Sequence, residues 1–348
     1  MVFKFFKTFS FSVLVIGSLC TTTACSKKDK EEEKPKEVTQ VKEEEKPEAP
    51  PSANPNPLWK VDARCFYNGP AGSFDYIGVK DPSIIYSGGK YHLFYTGMDA
   101  PANGSWRMGY ASATSIAGLE TASRSYMNAL NAGSYFCAPQ AFYFRSKEKW
   151  FLIFQSGLGA SFSVSNDVSD PLSWTPARGM GFTDGIDFWC ISDGTDVYVY
   201  YSAQDGTRTI KWRKTSVSNF PYNWSGAQVA VSDSFEAPHV YKNKSDGRFY
   251  MMVEDLLDNR YFELWTATKL AGPWTRVAEK WASYHNLSYN ADHWTDQVSH
   301  GEIIRTGTNE LMEIDNINHC DVLIQGAVNG NYSSYAAIPY DLGLMRNY

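Results

Sequence analysis

One β-hairpin pattern occurs five times along the chain, and this repetition restricts the possible folds more than any single motif does. Each copy has an apolar strand, a polar turn with Gly, Asp or Lys, and a second strand rich in aromatic residues. The copies begin at Asp81, Ala138, Ile186, Glu236 and Gly301. Their second strands are predicted at Tyr91–Tyr95, Trp150–Phe154, Val197–Tyr201, Phe249–Val253 and Leu311–Asp315.

Repeats of about 50 residues built only from strands are typical of propeller blades. A third strand follows several hairpins, beginning at Met108, Thr209 and Phe262. The sequence therefore predicts an all-β fold, a five-bladed β-propeller. A β-sandwich is the alternative, but it would not explain the recurring spacing.

The propeller prediction brings particular side chains together, because the first strand of each blade lines the central channel. The residues at these strand entries should meet in one axial pocket: Asp81, Gln140, Asp187, Glu236 and the pair His300 and Glu302. Like charges in one pocket raise one another's pKa and need compensation. Clusters of this kind are commoner at catalytic or metal sites than in plain cores.

Each candidate also has an ordinary interpretation when taken alone. Asp81 precedes a proline and opens a turn, Asp187 lies between apolar residues and suits a buried carboxylate bonded to backbone, and Glu236 suits a surface edge. His300 is a metal ligand, a substrate contact or a core histidine. A single histidine among carboxylates fits calcium with waters better than zinc. The shared position of the three carboxylates at strand entries favours a catalytic role.

The first 57 residues are not expected to belong to the fold. Residues 1–25 have a basic start, an apolar stretch and small residues before Cys25, which predicts a bacterial lipoprotein signal with Cys25 as the acylated residue. An ordinary signal peptide is the alternative. Residues 26–57 are rich in Lys, Glu and Pro and predict a disordered tether that reaches on the order of 100 Å. We therefore expect a lipid-anchored domain, 58–348, in the bacterial cell envelope, outside the cytoplasm.

The amino-acid composition restricts the kinds of partner that the protein can bind. Aromatic residues make up 15% of the chain, which suits sugar binding, and the net charge of -6 gives no case for nucleic acid. We expect a monomer with a polysaccharide substrate and no organic cofactor. Beyond Cys20 and Cys25 the chain has four cysteines, Cys65, Cys137, Cys190 and Cys320. They form either two disulfides or isolated buried thiols.

With these residues in view, the chain resembles glycoside hydrolase family 62 from about Gly78 to Leu344. The resemblance lies in the order and spacing of several stretches, which begin at Val79, Ala138, Ile186, Phe235, Arg260, Gly272, Ser299 and Ile338. It implies a five-bladed propeller with α-L-arabinofuranosidase activity that removes single arabinose side groups from arabinoxylan with inversion. A related five-bladed family, number 43, uses the same arrangement of carboxylates and includes xylosidases.

The resemblance also implies residue roles. Asp81 would be the general base, Glu236 the general acid, and Asp187 the residue that orients the acid and tunes its pKa. His300 would lie beside a calcium ion near the axis. The substrate pocket would be lined by Lys80, Gln140, Trp189 and Tyr335.

Several positions depart from the family pattern. Pro238 and His239 stand where Ser-Asn is usual, Asp255 replaces Ala, Ala336 replaces Asn, and Asp341 replaces Arg. These changes surround the acid and the cleft for the main chain but leave the three carboxylates intact. The substrate could therefore be another polymer, such as arabinan or an arabinogalactan side chain. A surface glycan-binding lipoprotein without turnover is the alternative function, although a binder would not need all three carboxylates.

Overall fold

The computed structural model describes residues 53–100, 106–133, 135–257, 259–290 and 292–348. The predicted signal at 1–25, the acylation site Cys25 and the tether up to residue 52 lie outside these ranges, so they stay predictions. The tether prediction is wrong for residues 53–57, because Ala53 is buried in the core and the Asn54 N–H donates to Asn318 Oδ1 at 2.6 Å. No helix within the described ranges is long and apolar enough to cross a bilayer.

The described strands form five sheets arranged as propeller blades, which confirms the predicted all-β fold. From the innermost strand outward they are blade 1 (Gly78–Ser87, Lys90–Met98, Trp106–Ala113, Arg124–Tyr126), blade 2 (Phe136–Phe144, Lys149–Ser156, Gly159–Ser165, Arg178–Gly179), blade 3 (Gly185–Ser192, Asp196–Ala203, Thr209–Ser216, Gln228–Ser232), blade 4 (Glu236–Asn243, Phe249–Leu256, Arg260–Ala267, Thr275–Ala282) and blade 5 (Ser299–Ile303, Asp321–Gly326, Asp341–Arg346, Trp59–Phe66, Leu287–Tyr289). Helical structure in the described residues is limited to short 3-10 turns: Ala117–Thr121, Asn128–Leu130, Arg145–Lys147, Tyr284–Asn286 and Tyr335–Ala337.

The hairpins of blades 1 to 4 form where the sequence predicts them. Each has a strand rich in apolar and aromatic residues on both sides of a short turn. In blade 1 the turn residues Gly88 and Gly89 have φ of 57° and 79°, a conformation that favours glycine at both positions. First strands of neighbouring blades contact one another around the axis. The start of every first strand therefore faces the same end of the channel.

The predicted second strand of the fifth hairpin, Leu311–Asp315, is wrong. Only Glu313–Ile314 is extended there, and it pairs in parallel with Lys242 and Asn243 at the inner edge of blade 4. The true partner of Ser299–Ile303 is Asp321–Gly326, which follows later in the chain. The segment 311–315 has strand-like composition, but its hydrogen bonds go to a neighbouring blade.

Blade 5 joins the two ends of the described chain. The strand Trp59–Phe66 pairs antiparallel with Asp341–Arg346, with Val61 opposite Met345. Trp59 is fully buried, packs edge to face on Trp281 at 4.8 Å, and donates from Nε1 to the Trp281 carbonyl at 2.8 Å. The ring of blades is therefore closed by hydrogen bonds between the first and last strands.

Candidate active site

Each first strand carries a β-bulge close to its start. The pairing register shifts between Lys80 and Ser83, Cys137 and Gln140, Ile186 and Trp189, Glu236 and His239, and Ser299 and Gly301. In blades 1 to 4 one residue of the bulge has a left-handed backbone: Asp81 (φ 47°), Ala138 (φ 52°), Asp187 (φ 56°) and Ala237 (φ 56°). This conformation costs roughly 1–2 kcal/mol for a residue other than glycine. It persists only where its surroundings stabilise it.

The stabilising contact is the same in every blade. The bulge N–H donates to a side-chain oxygen on the second strand of the preceding blade. The five contacts are Asp81 to Gln325 Oε1 (2.8 Å), Ala138 to Thr96 Oγ1 (2.9 Å), Asp187 to Gln155 Oε1 (2.9 Å), Ala237 to Ser202 Oγ (2.9 Å) and His300 to Glu254 Oε2 (2.6 Å). Because a bulge re-aims the side chains around it, these contacts also fix the direction of the axial groups.

The bulges surround one axial pocket of about 180 Å³, with room for a single small sugar ring. It is lined by Lys80, Asp81, Trp106, Tyr135, Cys137, Gln155, Ile186, Asp187, Glu236, His300 and Tyr335. The three carboxylates predicted from the strand entries are therefore brought together. Lys80, Tyr335 and His300 also line the pocket.

Asp81 is held in its ionised form. It is 6% exposed, and its Oδ1 lies 3.7 Å from Lys80 Nζ and 3.3 Å from His300 Nδ1. Burial alone would raise the pKa of this carboxyl, but the Lys80 charge, His300 and a hydrogen bond from Thr96 outweigh it and leave the pKa below its usual value. Asp81 can therefore accept a proton from a bound water.

The pKa values of Asp187 and Glu236 are shifted upward. Burial first, and then the charges of Glu236 and Asp81, hold the pKa of Asp187 well above its usual value. Burial and the neighbouring Glu254 raise the pKa of Glu236, although Arg260 opposes them. Because these two carboxyls interact, they titrate as a pair that retains a proton to higher pH than an ordinary carboxyl. The pocket thus holds a carboxylate and a protonated carboxyl at the same pH.

Arg260 ties the candidate acid to the blade behind it. Its Nη1 donates to Glu236 Oε1 at 2.8 Å and also contacts Glu254 Oε1. Glu254 is fully buried, and its second oxygen accepts from Ser299 Oγ at 2.9 Å and from the His300 N–H. The guanidinium therefore fixes one oxygen of Glu236 and leaves the other free to face the pocket.

Aromatic rings form the mouth of the pocket. Lys80 Nζ donates to the Tyr335 hydroxyl at 2.5 Å and lies 4.3 Å from the Tyr335 ring centre and 4.7 Å from that of Trp106. Tyr335 is 40% exposed, and Arg260 Cζ lies 5.0 Å from its ring centre. An ammonium group held against two aromatic rings at the edge of the pocket suits the hydroxyl and C–H faces of a sugar.

The prediction that Gln140 and Trp189 line the substrate pocket is wrong. Gln140 is fully buried, and both ends of its amide bond the backbone of Cys190 in the next blade, each at 2.7 Å. Trp189 is 1% exposed and donates from Nε1 to the Val240 carbonyl at 2.9 Å. Both follow a bulge, and the extra residue there directs them into the contacts between blades.

Glu302 is also absent from the pocket. It is fully buried deeper along the axis, where its Oε1 accepts from Arg305 Nε at 2.6 Å and its Oε2 from the Ile84 N–H at 3.0 Å. This carboxylate links blade 5 to blade 1 and has a structural role.

The surroundings of His300 bear on the calcium expected near the axis. Its Nδ1 faces Asp81, and its Nε2 lies 3.2 Å from His239 Nε2. Calcium prefers six to eight oxygen ligands. Within the described residues no group of three or more His, Cys, Asp or Glu side chains is arranged to hold a metal ion. These side chains do not fit a calcium site built from protein oxygens, and the calcium stays a prediction.

Four pocket residues had no sequence signal of their own, and one of them is Trp106 at the start of the third strand of blade 1. Gln155 ends a second strand, Tyr135 precedes a first strand, and Cys137 enters one without a charge. Gln155 joins two of the groups, since its Nε2 donates to the Tyr135 hydroxyl at 2.5 Å while its Oε1 holds the Asp187 N–H. Arg260 could have been found, because it is the one cation in the stretch Arg260–Ala267 that carries the resemblance.

The four described cysteines are free and buried, which settles the choice between bridges and thiols in favour of thiols. Burial raises the pKa of each, and that of Cys65 reaches about 12. These groups are therefore protonated and inert at neutral pH.

Carboxyl groups whose pKa values are shifted in opposite directions, facing a small pocket at the axis of a propeller, meet the requirements of glycoside hydrolysis. A family model described as Glycosyl hydrolase family 62 matches residues 70–346. The chain belongs to this family.

Relatives and solved structures agree with that assignment. α-L-arabinofuranosidase C of Cellvibrio japonicus is 37% identical over 287 residues, which cover 78% of this chain and 44% of that protein. The chain thus spans less than half the length of this relative. An α-L-arabinofuranosidase from Podospora anserina, solved with cellotriose, is 27% identical with a TM-score of 0.78, covering 84% of this chain and 98% of that one. A GH62 hydrolase solved with xylotriose is 25% identical with a TM-score of 0.74, covering 83% and 97%.

Proposed function

We propose that this protein is an inverting, exo-acting α-L-arabinofuranosidase that removes arabinose side groups from arabinoxylan or a similar plant polysaccharide. The observation that carries the proposal is the opposite shift of the carboxyl pKa values in one small pocket. The pKa of Asp81 is lowered, whereas the pKa values of Asp187 and Glu236 are raised. Hydrolysis of a glycosidic bond needs one carboxylate and one carboxylic acid on opposite faces of the sugar.

Asp81 is the general base in this mechanism. Lys80 and His300 bind one of its oxygens and keep it ionised. It takes a proton from water as that water attacks the anomeric carbon. The product then carries the opposite anomeric configuration.

Glu236 is the general acid. Its raised pKa lets it donate a proton to the leaving oxygen as the bond breaks. Because Asp187 titrates together with Glu236, the pair retains a proton to higher pH than an ordinary carboxyl. Arg260 fixes the direction of the Glu236 carboxyl.

The size of the pocket supports exo action on a single side group. A volume of about 180 Å³ accommodates one sugar ring and no chain. The partly exposed Tyr335 and the half-buried Trp106 line the pocket where a main chain would pass. The cellotriose and xylotriose held by two relatives support a polysaccharide main chain as the other part of the substrate.

The test is arabinose release by the purified protein from arabinoxylan, arabinan and a nitrophenyl α-L-arabinofuranoside, with proton NMR of the first-formed anomer. Asp81→Asn and Glu236→Gln are measured in parallel. We expect the inverted anomer and a loss of about 10²–10⁴-fold in kcat/KM on the polysaccharides for both variants. Unchanged release by either variant would contradict the assigned roles. Binding to a polysaccharide without release from any substrate would point to a glycan-binding lipoprotein instead.

We also propose that the protein is anchored in the cell envelope through acylated Cys25. The support is the sequence alone, with small residues before Cys25 and a charged tether after it. In cells fed a labelled fatty acid, the label should enter the wild type and be absent from Cys25→Ala. Ser26→Ala is the matched control and should be labelled normally. A labelled Cys25→Ala protein would refute the anchor.

A further inference from the structure

Beneath the pocket, His239 and His300 face each other. Their Nε2 atoms are 3.2 Å apart, and the two residues are 3% and 6% exposed. His300 Nδ1 continues the line to Asp81 Oδ1 at 3.3 Å. A buried side chain with no contact to the pocket is thus connected to the candidate general base through one intermediate.

The ring of His239 is held from two sides. Trp189 stacks on it with ring centres 3.9 Å apart and planes at 20°. Its Nδ1 lies 3.3 Å from the Tyr241 hydroxyl. That hydroxyl already accepts the Ile303 N–H at 3.0 Å, so its own proton is free to point at His239. The orientation of the imidazole is therefore fixed by contacts outside the pocket.

These contacts give the hydrogen bonds one consistent direction. If the Tyr241 hydroxyl donates to His239 Nδ1, the His239 proton is on Nε2 and points at His300 Nε2. The His300 proton is then on Nδ1 and points at the Asp81 carboxylate. Each donor in such a chain strengthens the next, and the chain ends on Asp81.

We propose that His239 is a positioning residue for Asp81: it orients His300 by a direct hydrogen bond, and no metal ion bridges the two rings. The consequence is that the Asp81 Oδ1 atom is held by His300 and Lys80, which fixes the direction of the carboxylate toward the attacking water. This inference rests on the proposed role of Asp81 as the general base.

The test compares two variants of His239 in arabinose release. His239→Phe keeps a ring against Trp189 but has no nitrogen, so we expect kcat to fall by about tenfold to a hundredfold with KM changed less than twofold. His239→Gln keeps an N–H donor and should recover most of that loss. The control is His92→Phe, since His92 is equally buried and bonded to Tyr110 Oη at 2.7 Å but lies far from the pocket. Its kcat should stay at the wild-type value.

Three outcomes would decide against the proposal or its basis. A wild-type kcat in a folded His239→Phe, with Asp81→Asn inactive, would refute the role of His239 and leave the function intact. An active Asp81→Asn would instead refute the proposed function. Elemental analysis should find the same metal content in the wild type and in His239→Gln. One bound metal ion that is lost in His239→Gln would show that the rings share a metal rather than a proton.

Discussion

Asp81 and Asp187 occupy the same left-handed bulge position in blades 1 and 3, yet their neighbours give them opposite protonation. Asp81 lies beside the Lys80 cation and the His300 imidazole. Asp187 is buried and lies near two other carboxyl groups, Glu236 and Asp81. The backbone supplies the position and the side chains around it supply the chemistry. In the proposed mechanism, one structural motif thereby provides both the general base and a carboxyl that retains a proton.

This difference predicts a specific change in pH dependence. Activity should appear as pH rises past the lowered pKa of Asp81 and disappear as pH rises past the raised pKa of the Asp187–Glu236 pair. Replacing Asp187 by Asn removes the repulsion that holds the pair protonated, so Glu236 should lose its proton earlier. The basic limb of kcat/KM against pH should move to lower pH, and the acidic limb should stay in place. A basic limb that stays fixed or moves upward would contradict this role of Asp187.

Sequence reasoning identified the three carboxylates because each lies at a strand entry next to a recognisable turn or apolar run. It failed at Gln140 and Trp189 because a bulge inserts one extra residue and reverses which later side chains face the axis. No local sequence pattern indicates where the extra residue of the bulge lies. Gln155 was missed for a related reason, since its contact with the Asp187 N–H joins two blades that are distant in sequence.

At the scale of the strand, the bulge backbone predicts that one substitution has different costs at neighbouring positions. Ala138 has φ of 52°, whereas Ala141 in the same strand is regular, and both are buried. Ala141→Gly should cost about 1–2 kcal/mol from the lost methyl and the greater freedom of the unfolded chain. Ala138→Gly should cost about 1 kcal/mol less, because it removes the left-handed strain. Urea unfolding midpoints measure both, and equal losses would show that the bulge is unstrained.

Hairpins were predictable where both strands and their turn are contiguous, as in blades 1 to 4. The fifth was not, because its second strand follows an insertion and Leu311–Asp315 imitates it in composition. The pairing of Trp59–Phe66 with the last strand has no local signal at all. What decides these pairings is competition for open sheet edges across the whole molecule.

At the scale of the whole molecule, closure by the first strand predicts where truncation becomes harmful. Removing residues up to 52 should leave the melting temperature unchanged, since it keeps every strand of the ring and the buried Ala53. Removing residues up to 66 should abolish cooperative unfolding, because it exposes the edge of Asp341–Arg346 and the cavity left by Trp59. Differential scanning calorimetry of the two truncated chains is the measurement. A cooperative transition in the shorter chain would show that the ring holds without its closing strand.

A ring joined by its two ends has a consequence for the order of events in synthesis. Trp59–Phe66 is made on the order of half a minute before its partner Asp341–Arg346 at ordinary rates of translation. Throughout that interval an apolar strand with unpaired backbone groups must be kept from aggregating. The blades can form one after another, but the last hydrogen bonds of the ring wait until both of these strands are available.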